Sequence, residues 1–213
     1  GDYLLSRCFE MMVEDGNLEI LKLLSSTSAE ISQGEVLQLQ HKGEIDMLEE
    51  TYLKIISSKT ASLFAAATKV GSILANKESK TKEALEFYGK NLGLTFQIAD
   101  DTLDYNSELK FFGKKIGNDF YEGKVTLPII LLYQKANNDE KADLKNLFEK
   151  NERNEEEFKR VLLMIKNYNI ISGCYAKAEH FINLASNSLS IFDESKEKEI
   201  LKNLTSFSLE RSY

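Results

Sequence analysis

Tryptophan is absent from the 213 residues, proline occurs once, and cysteine and histidine occur twice each. Proline removes a backbone donor and clashes with the preceding turn, so its near absence leaves long stretches free to run in unbroken helical periodicity. The abundance of Leu, Ile, Ala, Glu and Lys points the same way, and the expected fold class is all-α. Cys8 and Cys174 lie far apart, with no CxxC pair and no histidine at zinc-finger spacing. They are expected to be free core thiols in a reducing compartment. His41 and His180 are equally isolated, as solvated or hydrogen-bonded histidines usually are.

Positive charge is also short: 27 Lys and Arg stand against 34 Asp and Glu, a net charge of -7. No basic stripe offsets this, which excludes a general affinity for nucleic acid. Long apolar runs are missing too. The longest obvious one, Leu127 to Tyr133, falls far below the roughly 18 residues of a membrane span, so no integral membrane segment is expected. Gly1-Asp2-Tyr3-Leu4-Leu5 carries no basic n-region of a signal peptide, and a cytoplasmic location is expected. What is present, 42% apolar residues, suffices for the core of one large domain.

Helical periodicity is readable over Asp2 to Val13, Leu18 to His41, Asp46 to Asn76 and Lys80 to Asp104, each ended by Gly, Asn or a charged break. Ser107 to Val125 interrupts it with glycines and charges and is expected to be an exposed, ordered loop. Leu127 to Lys135 follows as a short helix whose first turn tolerates Pro128. Further helices are expected over Asp139 to Glu149, Glu155 to Asn167, Ile171 to Phe192 and Lys196 to Glu210.

On the fourth helix, Leu92, Phe96, Ala99 and Leu103 fall within about 60° of one another and form an expected core stripe. Gln97, Asp100, Asp101 and Asp104 occupy a separate arc of about 100°. Three acids at a helix C-terminus oppose the macrodipole, which favours cations there. An oxygen-only donor set with no His or Cys suits a hard ion such as Mg²⁺, which keeps waters and recruits phosphates; an ordinary acidic helix end is the competing account. An EF-hand loop starting at Asp100 fails at Thr102, Tyr105 and Phe111, where an acid or amide, a glycine and a glutamate are needed.

Downstream lie Lys114, Lys115 and Lys124, the first and last each preceded by glycine. Such a loop can fold over the helix end as a phosphate-binding lid, since glycine admits close backbone approach and an ammonium is a mobile point charge. It is not a nucleotide P-loop: five residues separate Gly117 from Gly123, and Val125 replaces Ser or Thr. On the third helix Ile56, Thr60, Leu63, Ala67, Val70 and Leu74 form one apolar stripe with Lys59 at its edge. That lysine reads either as an amphipathic side chain on a core face or as part of the same anion site.

Phe96-Gln97-Ile98-Ala99-Asp100-Asp101-Thr102-Leu103-Asp104 resembles the second aspartate-rich motif, FQxxDDxxD, of the trans-isoprenyl diphosphate synthases. Gly113-Lys114 through Gly117, Asp119 and Glu122-Gly123-Lys124-Val125-Thr126-Leu127-Pro128 resembles the GKxxGxDxxEGKxTLP segment that follows it. Lys59-Thr60-Ala61 is similar to the family's KTA element, Gln33-Gly34-Glu35 to its EGE segment, Gly1-Asp2-Tyr3-Leu4 to its GDYL start, and Arg211 to its C-terminal basic residue. The bacterial octaprenyl diphosphate synthases look closest.

The resemblance implies a helical bundle of the isoprenoid synthase type, with residues 1–213 as the C-terminal part of one domain. The family's first aspartate-rich motif is expected upstream of the GDYL segment, so half of the metal site would lie outside the chain. The implied reaction is head-to-tail prenyl transfer: an allylic prenyl diphosphate ionises, isopentenyl diphosphate attacks the cation, and a proton is lost. By the same resemblance Mg²⁺ would be held by Asp100, Asp101 and Asp104. Lys59, Lys114 and Lys124 would contact the diphosphate, and Thr60 and Gln97 would place oxygens near the cationic carbon. A homodimer is implied. The competing expectations are an inactive fragment or noncatalytic subunit, and a class I terpene cyclase, whose asparagine-serine-glutamate motif Asn118 to Glu122 does not match.

Overall fold

The computed structural model describes residues 1–106 and 116–210. Helices α1 (Asp2–Asp15), α2 (Leu18–Gln40), α3 (Glu49–Ile56), α4 (Ser62–Leu74), α5 (Ser79–Leu103), α6 (Asn118–Glu122) and α7 (Leu127–Lys135) lead into α8 (Asn138–Phe148), α9 (Glu155–Asn167), α10 (Ile170–Ser188) and α11 (Lys196–Glu210). A π turn spans Ser57–Ala61 and a 3-10 turn Leu189–Ile191. No strand occurs among the described residues, in agreement with the all-α expectation. The helix starts are chemically marked. Asn17 accepts from the Glu19 and Ile20 amides, while Asn137 with Glu140 and Asn154 with Glu157 form reciprocal capping boxes.

α5 is the central rod, flanked by α4 and α10 and touched by α11, α7 and the π turn. This enlarges the single core stripe expected of it. Asn91, Thr95, Ile98 and Thr102 are buried as well, while Phe96 and Leu103 are only half-buried, because partners cover α5 from more than one side. The buried hydroxyls remain satisfied: Thr95 and Thr102 donate to the carbonyls of Asn91 and Ile98.

The expected helix over Asp46 to Asn76 is divided by the π turn, in which the Ser62 amide bonds the Ser57 carbonyl. That fifth-residue closure inserts about one residue into the helical count. Below it Ala65, Ala66 and Ile73 are buried, whereas Leu63 and Leu74 of the expected core stripe are exposed. The buried face is selected by close approach to α5. A Cβ on Gly93 would lie 2.6 Å from the Ala61 Cα, and one on Gly89 would lie 2.4 Å from the Phe64 carbonyl oxygen.

The main core gathers Ile55, Ile98, Leu127, Ile129, Leu132, Val161, Ile165 and Ile170, each worth about 1.5–3 kcal/mol of burial against the entropy of ordering it. Cys174 is buried here, but Cys8 lies exposed on α1, which corrects the expectation of two core thiols. The cause is the placement of α1, where only Met12 is buried. Among the described residues no helix is long and apolar enough to cross a membrane.

Candidate active site

The C-terminal ends of α5 and α2, the π turn and the segment around α6 meet at one cavity of about 210 Å³. Gln38, Lys59, Thr60, Gln97, Asp100, Asp101, Asp119, Lys124 and Thr126 contribute to its wall.

α5 delivers Gln97, Asp100 and Asp101 on consecutive turns. Asp101 is buried and both its oxygens are engaged: Tyr52 donates to Oδ2 at 2.6 Å and Gln97 Nε2 donates to Oδ1 at 2.7 Å. Because Gln97 gives its amide hydrogen to a carboxylate, its oxygen must face the other way, where Thr60 donates to it at 2.7 Å. Tyr52, Asp101, Gln97 and Thr60 thus form one hydrogen-bonded chain joining α3, α5 and the π turn. Burial, followed by the charge of Asp119, raises the Asp101 pKa to about 7. Asp119 is pushed to about 6 by burial and then by Asp104.

Asp104 takes a different position. It is buried and does not line the cavity; its Oδ2 accepts from the Asp119 amide at 2.8 Å, and its carbonyl accepts from Gly117 at 2.9 Å. It therefore fixes the entry to α6, whose five residues are anchored by Phe120 packed on Phe148 and Phe158. Gly117 and Gly123 close the two ends of α6 with φ of 89° and 72°, values that favour glycine. A Cβ at Gly117 would also strike the Phe158 ring at 2.6 Å. The expected loop over Ser107 to Val125 thus contains a short helix.

The two described lysines reach the cavity from different elements. Lys59 pairs with Glu35 at 2.6 Å and donates to Gln38 at 2.6 Å. Lys124 pairs with Glu122 at 2.6 Å and lies 3.5 Å from Asp119. Burial works against the Lys124 ammonium, but Glu122 and Asp119 outweigh it and hold its pKa above the ordinary value. Lys114 and Arg211 lie outside the described residues.

The site thus brings together Lys59, Thr60, Gln97, Asp100, Asp101 and Lys124 and turns Asp104 aside. Tyr52 and Gln38 were not singled out from sequence, and Asp119 and Thr126 were read only as part of the resembling segment, without a role in the site. Tyr52 carried a usable signal, since it stands seven residues before Lys59 and two helical turns place such residues on one face. Gln38 carried none.

A hard divalent ion fits this donor set. Every candidate donor in the wall is oxygen, burial and then the charge of neighbouring carboxylates raise the pKa values of Asp101 and Asp119, and the buried Thr126 hydroxyl has no hydrogen-bond partner among the described residues. No three carboxylates among the described residues form a closed cage for an ion.

The polyprenyl synthetase family model matches residues 1–165. An all-trans-nonaprenyl-diphosphate synthase (geranyl-diphosphate specific) of Rhodobacter capsulatus is 36% identical over 99% of the chain and 64% of its own length. Octaprenyl diphosphate synthase of Escherichia coli is 43% identical over 61% of the chain and 40% of its own length. The crystal structure of a polyprenyl synthase from Caulobacter crescentus, complexed with calcium and isoprenyl diphosphate, superposes with a TM-score of 0.94 at 36% identity. That superposition covers 100% of the chain and 65% of the other molecule. The chain thus spans a little under two thirds of the Rhodobacter and Caulobacter relatives' length.

Proposed function

We propose, because the chain belongs to the polyprenyl synthetase family, that it forms the diphosphate-binding side of a trans-polyprenyl diphosphate synthase. Such an enzyme elongates an allylic prenyl diphosphate with isopentenyl diphosphate. The observation that carries this reading is the meeting of Asp100, Asp101 and Asp119 with Lys59 and Lys124 in one wall. Opposite charges in a small partly buried volume suit a polyanion held through both cations and carboxylate-bound metal.

Asp100 and Asp101 would hold Mg²⁺, and that ion, when bound, would supply positive charge for the departing pyrophosphate. The chain's own residues do the rest. Lys59 and Lys124 bind leaving-group oxygens as preorganised donors. Asp101 fixes the Gln97 amide and, through it, the Thr60 hydroxyl, so two oxygen dipoles are oriented before substrate enters. Asp104 holds α6 and thereby Asp119 and Lys124 in place.

The exposed stripe of Leu63 and Leu74 leads down α4 from the Thr60 end. It offers an apolar wall to a growing chain, and excluding water there protects a cation from quenching. Octaprenyl is the product the sequence resemblance favours, with nonaprenyl the adjacent alternative. A homodimer is supported by the exposed Leu4, Leu5 and Phe9 of α1, an apolar face of the kind that marks association.

The test is calorimetric titration with farnesyl diphosphate. Saturable binding that EDTA abolishes is expected. In an intact enzyme carrying this segment, Asp100→Ala is expected to lower turnover by about 10²–10³-fold with unchanged circular dichroism. Unchanged turnover would remove Asp100 from the site.

A further inference from the structure

Each of the two described lysines in the cavity wall already has a close carboxylate partner at 2.6 Å that lies outside that wall. Lys59 lies 2.6 Å from Glu35 on α2, and Lys124 lies 2.6 Å from Glu122 on α6. The glutamates are the outer members of both pairs: their side chains are 49% and 59% exposed, against 32% and 33% for the lysines.

The first pairing is built into the backbone. A Cβ on Gly34 would lie 2.6 Å from the Lys59 nitrogen and 3.0 Å from its Cα. Only glycine lets α2 rest so closely on the π turn, and the next residue along α2 is Glu35. The second pairing is local, since Glu122 ends α6 and Lys124 follows the left-handed Gly123.

We propose that Glu35 and Glu122 are exchangeable counter-ions of the diphosphate site. A diphosphate enters by displacing them from Lys59 and Lys124, and they reclaim the ammoniums as pyrophosphate leaves. This rests on the diphosphate reading given above. A lysine stem has the freedom to swing its ammonium from one anion to another without moving the backbone. The displaced glutamates are exposed enough to be rehydrated rather than stranded, which is what makes exchange cheap. Asp119, half-buried and 3.5 Å from Lys124, stays in the wall throughout. The glutamates thus keep the empty site from trapping arbitrary anions and speed release of the product anion.

An exposed ion pair opposes a competing anion by a factor of about 1.5 to 5. Calorimetric titration of the full chain with inorganic pyrophosphate in Mg²⁺ reads this directly. Glu35→Gln and Glu122→Gln are each expected to tighten pyrophosphate binding by about 1.5- to fivefold, with the double variant showing roughly the product. Glu35→Asp is expected to return the wild-type affinity. In a Lys59→Met background, Glu35→Gln is expected to change nothing, because no ammonium is left to release.

Weaker binding by Glu35→Gln would make Glu35 a support for Lys59 and overturn the exchange. Equal tightening in the Lys59→Met background would reduce the effect to a general field and overturn it too. Absence of pyrophosphate binding by the wild-type chain would instead overturn the diphosphate reading together with the exchange.

Discussion

Replacing Tyr52 by phenylalanine removes one oxygen from the buried chain that orders the site, and the cost should depend on pH in a calculable way. Tyr52 donates to Asp101 at 2.6 Å, and Asp101 titrates near 7 against an ordinary value of 3.8. For an acid whose folded pKa is raised, burial favours the neutral form. Its stability contribution is therefore fully present below about pH 4 and is lost as pH rises through about 7. The Tyr52 bond favours the charged form, and its loss pushes Asp101 further up. A hydrogen bond to a charged group is worth about 1.5–3 kcal/mol against about 0.5–1.5 kcal/mol for a neutral one, and the difference equals roughly one pKa unit.

Near pH 5.5, where Asp101 is protonated, the variant should lose only the roughly 0.5–1.5 kcal/mol of a neutral bond. Near pH 9 the loss should reach about 1.5–3 kcal/mol. The Tyr52 phenol is raised well above 10 by burial and the Cys174 thiol to about 12 by burial, so neither ionises in this range; Asp119, pushed up to about 6, is charged at pH 9 and adds to the cost of a charged Asp101. Urea unfolding followed by circular dichroism in EDTA measures the penalty across this range. A penalty that is constant or shrinks with rising pH would refute the proposed coupling of Tyr52 to the Asp101 charge.

Two further outcomes follow from the same geometry. Gly93→Ala should destabilise by up to about 2 kcal/mol in urea unfolding, because overpacking costs about 1–3 kcal/mol and alanine returns about 1 in helix propensity; a more stable variant would contradict the 2.6 Å approach to Ala61. Mg²⁺ should raise the unfolding midpoint more near pH 8 than near pH 5.5, since protons compete for Asp101 and Asp119; equal shifts would detach the ion from these carboxylates.

The helix boundaries were largely legible because they are written locally. Glu155–Asn167 and Leu127–Lys135 emerge as read from caps, periodicity and a tolerated Pro128. The burial pattern of α4 was not, since one extra residue in the π turn rotates the face below it, and that residue is admitted by contacts with Gly93 and Gly34 far along the chain. The acid-rich end of α5 was visible as a cluster, yet its division of labour was not. Whether Asp104 faces the cavity or ties down α6 depends on where Gly117 and Asp119 return. Glu35 belonged to a recognised segment, but its bond to Lys59 depends on helix–helix approach.

The π turn lets one continuous helical rod answer to two masters. Above Ser57, Tyr52 keeps the phase that Asp101 requires; below Ala61, the small residues keep the phase that α5 requires. Removing a single residue between them would act like a slipped gear tooth, swinging the whole of α4 by about 100° and presenting Leu63 where the buried Ser62 now fits and Leu74 where Ile73 does. Length at this spot is thus more tightly constrained than chemical identity.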